Sequence, residues 1–556
     1  MERISVRSPA ACRPLPVMAA VCLLLLLAAR PAAAAVPPSV ILRMDGHEET
    51  VRLIRSKNLW TLMLPSSASP QAMTGAGGAV LPDMAGVSGT EDSKIGLTVS
   101  GRQTKLQILP SGNVGTVFVT LDRLTLSQFG SSKRRSDTGA CRVYDAEGRL
   151  SAEGALSGFS LHGNSTLKAK KKSFNLKFAE KQAPLGMDAD RSWALISNAY
   201  DNSFARNYTA LTLAELLGMP FVPEQRPVDV YLNGQYLGVY LLCEKVQIGK
   251  GRVEIRDLEE ETEDLNTEPL ETYKMLGSKT PVKGQGKYYD IPNEPDDITG
   301  GYLMELDLEA RYHLLTSAYV TERGQIISIR SPKYVSRAQY AYISALLQSM
   351  ENAMYSEDGA DPVSGRRFEE IVDLDSAALK YMFEELVCNF DANKTSQFFY
   401  KDSDRSDPLI HFGPPWDYDI SLANRSGEDG IEFIDPDALA VGVQVRMKLP
   451  VYYRQLYSLP TVRERLKSLS AERGLREAAE ALTRGGGGVP TVMEWTERCA
   501  SAIRKNYMVN PHRFFAYYTR AFGGDFRLHA QSVSDFLARR AEYLAALWEN
   551  GPETTE

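Results

Sequence analysis

The chain has 556 residues, 63 Lys and Arg against 70 Asp and Glu, a formal charge of −7, and 43% hydrophobic with 24% charged residues. That balance excludes disorder, collagen and coiled coil, and at roughly 150 residues per domain it leaves room for two to four packed units. The acidic pI of about 5.7 excludes a nucleic-acid partner, because phosphate backbones need a basic surface and the short basic runs are confined to 133–135 and 168–172.

Residues 1–35 read as a signal peptide. Arg3, Arg7 and Arg13 make a positive start, 17–29 an apolar run, and Ala33, Ala34 and Ala35 a small-residue cleavage site. No later apolar run reaches the ~18 residues a bilayer crossing needs, so the expectation is a secreted or extracytoplasmic protein without a membrane span. Cys12 and Cys22 fall in this leader; Cys141, Cys243, Cys388 and Cys499 have no metal-type spacing, and Cys243 and Cys388 lie in apolar segments suited to buried thiols.

From 36 to about 140, short β-branched runs (39–44, 116–121) separated by Gly, Ser and Pro predict a β-rich N-terminal region with a loose loop at 66–93. A strand is expected at 158–162, then a polar turn Gly163-Asn164-Ser165-Thr166, the lysines of 168–172, and an alternating strand at 173–178 with Phe174, Leu176 and Phe178 on one face. Leu211, Leu213, Ala214 and Leu217 fit a helix stopped by Gly218. Residues 228–242 form a hairpin about Asn233-Gly234, whose two residues favour positive φ. The acidic stretch at about 257–299 reads as an exposed insert, followed by a strand at 302–307. Leu379, Met382, Phe383, Leu386 and Val387 predict a helix beginning at Asp375 and ending at Asn389-Phe390-Asp391. Two short strands lead to Gly413-Pro414-Pro415-Trp416-Asp417-Tyr418-Asp419, and beyond 442 the pattern is helical (462–482, 493–508, 533–548).

Three polar clusters carry candidate chemistry: the Gly163 turn with its lysines, Asp391 with Asn389 and Asn393, and the Asp417/Asp419 pair. Each alone is also ordinary turn chemistry. Their order, a phosphate-type loop and strand lysine, a helix, a hairpin, a helix ending at an Asp and a later Asp after a strand, is the order of the working parts of a protein kinase. The motifs G-x-G-x-x-G-x-V, H-R-D and D-F-G are absent.

The segments HGNSTLKAKKKSFNLKF (162–178), SWALISNAYDNSFARNYTALTLAELLG (192–218), VDVYLNGQYLGVYLLCEKVQIGKGRVEI (228–255), GGYLMELD (300–307) and NFDANKTSQFFYKD with GPPWDYD (389–402, 413–419) resemble, in order, the spore coat protein H (CotH) kinase family. The resemblance implies an α+β, atypical protein-kinase-like fold with a signal peptide (1–35), a β-rich N-terminal region (36–140), a kinase-like domain (141–441) and a helical C-terminal part (442–556). It also implies ATP- and Mg²⁺- (or Mn²⁺-) dependent transfer of phosphate to Ser or Thr hydroxyls of a secreted or cell-surface protein.

Carried over to this sequence, Asp391 resembles the catalytic Asp and Asp417 the metal-binding Asp, with Asp419 as a helper and Asn393 and Ser396 near the second metal position. Lys177 is the expected phosphate lysine, pointing away from Phe174, Leu176 and Phe178, with Lys172 its competitor. Arg206 and Asn207 match the family's RN pair, Glu244 falls at the adenine-side hinge, and Ser165 lies in the phosphate-type turn. A noncatalytic coat or adhesion protein is the alternative; a glycosidase using Asp417 and Asp419 has no spacing to support it.

Overall fold

The alternation at 173–178 has a structural counterpart, in a form the period alone does not specify. The strand Ser173–Gln182 places Phe174, Leu176 and Phe178 on one side, each at most 1% exposed, and that side is the interior of a closed seven-stranded barrel. The computed structural model describes residues 37–550 apart from 58, 85, 425–433, 443–450 and 512–523, so the stretch expected to be a signal peptide lies outside the described residues.

Around the barrel the strands are Ser136–Tyr144, Leu150–His162, Ser173–Gln182, Asp190–Ile196, Gln235–Glu244, Gln225–Leu232 and Gly115–Leu121. Neighbours are antiparallel except the closing pair, Gly115–Leu121 beside Gln225–Leu232, which is parallel. Inward side chains include Phe159, Phe174, Trp193, Val230 and Leu242. Each such side chain contributes roughly 1.5–3 kcal/mol on leaving water, so the filled interior holds the ring shut. The two strands earliest in the chain, Gly115–Leu121 and Ser136–Tyr144, come from the stretch read as the N-terminal region, and the second runs across residue 140.

Asn233 and Gly234 take φ of 48° and 78°, the two positive values the hairpin reading requires. Asn233 also helps close the barrel. Its Oδ1 accepts the Leu121 N–H at 2.8 Å and its Nδ2 donates to the Leu124 carbonyl at 3.0 Å.

Before the barrel, residues 39–110 form a three-stranded and a five-stranded sheet. Their core residues Val40, Leu62 and Leu106 pack with Phe118, Tyr144 and Tyr231 on the barrel's outer face. After the barrel comes a seven-stranded sheet in the order Met275–Gly277, Gly286–Tyr289, Ser317–Val320, Ile326–Ser331, Tyr302–Asp307, Phe398–Lys401, His411–Phe412.

The acidic stretch, expected as an exposed insert, is built into the fold. It supplies the first two of these strands and a short helix, Leu258–Asp264, capped by Asp257 and anchored by buried Leu258 and Thr262. A few apolar residues, Leu258, Leu270 and Ile291, are buried among the charged ones, and an average over the segment hides this.

One continuous apolar core joins the helices Arg206–Leu216, Arg337–Tyr355 and Leu374–Leu386 to the C-terminal helices, ending with Phe526–Asn550. The helix expected at 462–482 is two, Pro460–Glu472 and Leu475–Thr483, turned by Gly474 at φ 60°. Cys141, Cys243, Cys388 and Cys499 are free and buried. Among the described residues no helix is long and apolar enough to cross a membrane.

One buried ion pair fastens three parts of the chain together. Lys505 Nζ, on the helix Ala500–Val509, donates to Asp229 Oδ2 (2.8 Å) in the barrel and to Ser111 Oγ (2.6 Å) and the Leu64 carbonyl (2.8 Å) from the N-terminal sheets. Tyr236 donates to the other Asp229 oxygen at 2.8 Å. Both side chains are at most 2% exposed, so removing one leaves the other charged and dry. We expect Lys505→Met to cost about 3–5 kcal/mol in urea unfolding, and Lys505→Met/Asp229→Asn to recover part of that loss. Equal loss in the double variant would refute this account.

Candidate active site

The acidic candidates flank the last two strands of the seven-stranded sheet, beside the barrel, whose His162 meets Trp416. The helix Leu374–Leu386 begins at Asp373, whose side chain accepts the Ser376 N–H at 2.7 Å, and it is buried from Ser376 to its end. Beyond it the chain turns sharply. Asn389 Oδ1 accepts the Asp391 N–H (3.0 Å), and the Asp391 carbonyl accepts the N–H groups of Lys394 (2.8 Å) and Thr395 (3.2 Å). This turn leaves the Asp391 carboxylate partly open to the cleft, with Lys394 Nζ 3.7 Å away.

The strand pair Phe398–Lys401 and His411–Phe412 then delivers the Gly413–Asp419 turn. Tyr418 is its anchor. The phenol is buried and accepts from Lys380 Nζ (2.9 Å) while donating to Glu384 Oε1 (2.8 Å), two residues one turn apart on the Leu374–Leu386 helix. With Tyr418 plugged inward, Asp417 sits exposed at the cleft at φ 70°, a strained value for a residue with a side chain. Ser396 Oγ donates to Asp417 Oδ2 at 3.2 Å, and Asp419 lies 6% exposed.

The three carboxylates share one field. Crowding by surrounding protein, then the charge of Asp391, pushes Asp417 up to about 6, against the Ser396 bond. Burial, then the charges of Asp417, Asp201 and Asp391, pushes Asp419 well above the carboxylate range, with Arg206 opposing. Among the described residues no group of three or more His, Cys, Asp or Glu is arranged to hold a metal ion by itself, so a dication here would need oxygens besides these carboxylates. Hard carboxylate and hydroxyl oxygens from a few side chains, completed by phosphate oxygens, are the donor set magnesium takes.

Arg206 and Asn207 do reach this site, as braces. Arg206 is 1% exposed, pairs with Asp201 Oδ1 at 2.5 Å and donates from Nε to the Ser421 carbonyl at 3.0 Å. Asn207 Oδ1 accepts the Tyr418 N–H at 2.8 Å. The pair therefore fixes the loop that carries Asp417 and Asp419.

Other expected residues are committed elsewhere. Asn393 is fully buried, its Nδ2 on the Val441 carbonyl (3.1 Å) and its Oδ1 on the Tyr453 N–H (2.9 Å), which corrects its reading as a metal ligand. Glu244 pairs with Arg252 and accepts the Glu224 N–H at 2.9 Å, so both oxygens are used within the fold instead of at an adenine. Lys172 Nζ donates to the Leu167 carbonyl at 2.5 Å and staples its own loop. Ser165 is exposed, its carbonyl accepting Tyr200 OH at 2.7 Å. Lys177 is exposed on the barrel's outer face, its charge within range of Lys245. Gly163 is required where it stands: at φ 87°, a Cβ would lie 1.9 Å from Thr166 Oγ1.

Residues without a role assigned from the sequence stand beside the site. Arg311 donates from Nε to Asp307 Oδ1 (2.5 Å) and from Nη2 to Thr395 Oγ1, the neighbour of Ser396. His162, at the root of the Gly163 turn, bonds Asn175 at 3.0 Å and meets the Trp416 ring edge-on at 6.1 Å. Burial, then the charge of Lys245, pushes His162 down to about 4, so it is neutral at pH 7. A cavity of about 450 Å³ opens between the segment 245–248, the strand residues Leu303 and Arg330, and the acidic helix Leu258–Asp264.

Residues 159–442, just over half of the chain, match the family model described as CotH kinase protein. No curated protein matches the chain.

Proposed function

The chain belongs to the CotH kinase family, and from that membership we propose that it is an exported atypical protein kinase that transfers the γ-phosphate of ATP to Ser or Thr hydroxyls of secreted or surface proteins. The observation that carries this reading is that Asp391, Asp417 and Asp419 lie in one another's field, where burial first and then the neighbouring carboxylate charges raise Asp417 and Asp419. Strand order supports it as well. Five barrel strands run 150–162, 173–182, 190–196, 235–244, 225–232 around the ring, with the helix Arg206–Leu216 inserted after the third. Protein kinases carry their lysine on the third strand and its glutamate partner on the following helix. Here Asp190–Ile196 holds no lysine, and the helix offers Arg206 and Asn207 to the Asp417 loop instead.

In this reading Asp391 orients the acceptor hydroxyl and takes its proton as the new O–P bond forms and the bond to the bridging β-phosphate oxygen breaks. Asp417 and Asp419 would hold the metal, which when bound would neutralise charge on the phosphate oxygens. Ser396 fixes the Asp417 carboxylate, while Tyr418, Arg206 and Asn207 keep its loop from drifting. Rate enhancement then comes from positioning and charge placement. Export in this reading rests on the signal peptide expected at 1–35.

The missing third-strand lysine favours one other reading, a noncatalytic surface or coat protein that keeps the fold. Incubation with γ-labelled ATP and Mg²⁺ or Mn²⁺ separates them. We expect label on the protein or on a generic acceptor; no label, with no thermal stabilisation by the nucleotide, would put the noncatalytic reading first.

A further inference from the structure

The geometry points to Lys245, with Arg330 beside it, as the cation pair that receives the nucleotide's phosphates in place of the lysine the strand Asp190–Ile196 lacks. This assignment rests on the nucleotide reading above. The other lysines near the cleft are engaged or turned outward. Lys171 donates to the Ser197 carbonyl at 2.8 Å and lies against the Phe204 and Tyr240 rings; Lys172 staples its loop; Lys380 pairs with Glu384. Lys133 donates to Asn164 Oδ1 at 2.6 Å, Lys394 to the Phe390 carbonyl at 2.9 Å, and Lys177 stands exposed.

Lys245 differs from all of them. It directly follows the barrel strand Gln235–Glu244, where the chain crosses to the second sheet, and its side chain lines the cavity. No described residue forms a hydrogen bond or ion pair with it. Its charge is felt at His162, which sits between the Gly163 turn and Trp416, the residue before Asp417. Lys245 thus lines the cavity together with Arg330, within electrostatic reach of the root of the Gly163 turn.

A half-buried ammonium without a partner is costly, and an anion is what relieves it. Burial, then the charges of Arg330 and Lys177, pushes Lys245 down to about 8, with Asp190 opposing. Arg330 is only loosely held, 3.6 Å from Glu305. The same cavity is lined by Asp257, Glu259, Glu260 and Glu263 of the acidic helix and its cap, which repel phosphate, and by Val246, Ile248 and Leu303, which offer apolar surface. The cavity therefore orients an anionic nucleotide with its phosphates at Lys245 and its base and ribose toward the acidic helix.

The test compares calorimetric titrations of ATP, ADP and adenosine, with Mg²⁺, into wild type, Lys245→Met, Lys245→Arg and Lys177→Met. Loss of a charge-assisted bond should weaken ATP and ADP roughly 10- to 100-fold in Lys245→Met. Adenosine should be unaffected, Lys245→Arg should restore most of the loss, and Lys177→Met should change little. Unchanged ADP affinity in Lys245→Met, a larger loss in Lys177→Met, or equal losses for ADP and adenosine would each overturn the assignment while leaving the kinase reading standing. Wild type that binds none of the three would remove both.

Discussion

Asp391→Asn should slow phosphoryl transfer by roughly 10²- to 10⁴-fold, the usual contribution of a positioned base, while leaving stabilisation by Mg-ATP intact. The substitution is mild by design. The turn that presents residue 391 is held by Asn389 Oδ1 on its N–H and by its own carbonyl on Lys394 and Thr395, and neither depends on the carboxylate. Asparagine fills the same space without accepting a proton, and Lys394 loses a partner only at 3.7 Å. Single-turnover rates with radiolabelled ATP, set beside thermal shifts, separate chemistry from binding. A rate within about threefold of wild type would move the base to another group, and loss of nucleotide stabilisation would make Asp391 a binding residue.

Asp417→Asn should abolish the Mg²⁺-dependent part of nucleotide binding. Wild type at 100 times Kd gains roughly 2.7 kcal/mol from its ligand, and the variant should gain almost none of that from adding metal. The unliganded fold should not suffer. Asparagine tolerates the positive φ of 70° found here and can still accept from Ser396 Oγ. It also takes one charge out of the repulsion that, after burial, raises Asp419. Asp417→Asn should therefore melt at or above wild type without ligand, and below it with Mg-ATP. Metal-dependent gain equal to wild type would remove Asp417 from the metal site.

How much of this was legible in the sequence depended on distance along the chain. The Asn233-Gly234 turn, the Phe174/Leu176/Phe178 face and the helix ending before Asp391 are local patterns, and each stands where its period or turn chemistry puts it. Barrel closure is not local. It pairs Val228 with Gly115, and nothing within either strand names its partner. The same limit governs the site. Arg206 and Asn207 stand out as a pair, but their targets, the Ser421 carbonyl and the Tyr418 N–H, lie more than 200 residues on. Asn393 is two residues from Asp391 and reads as a ligand, yet its amide is spent on Val441 and Tyr453. Lys245 lies inside the matching segment 228–255, but no role attaches to it there, because what sets it apart is that no described residue bonds or pairs with it in three dimensions.

The parallel strand that completes the barrel has a practical side. The family match begins at residue 159, inside the strand Leu150–His162, whereas Gly115–Leu121 and Ser136–Tyr144 lie before it. A fragment trimmed to the match would strip away the hydrogen-bonding partners of Gln225–Leu232 and of what remains of Leu150–His162. Two bare rims of backbone N–H and C=O groups would then face water, flanked by side chains built for an enclosed interior, and such edges invite strands from other molecules. Insolubility of that fragment would report an opened ring and say nothing about the chemistry of the cleft.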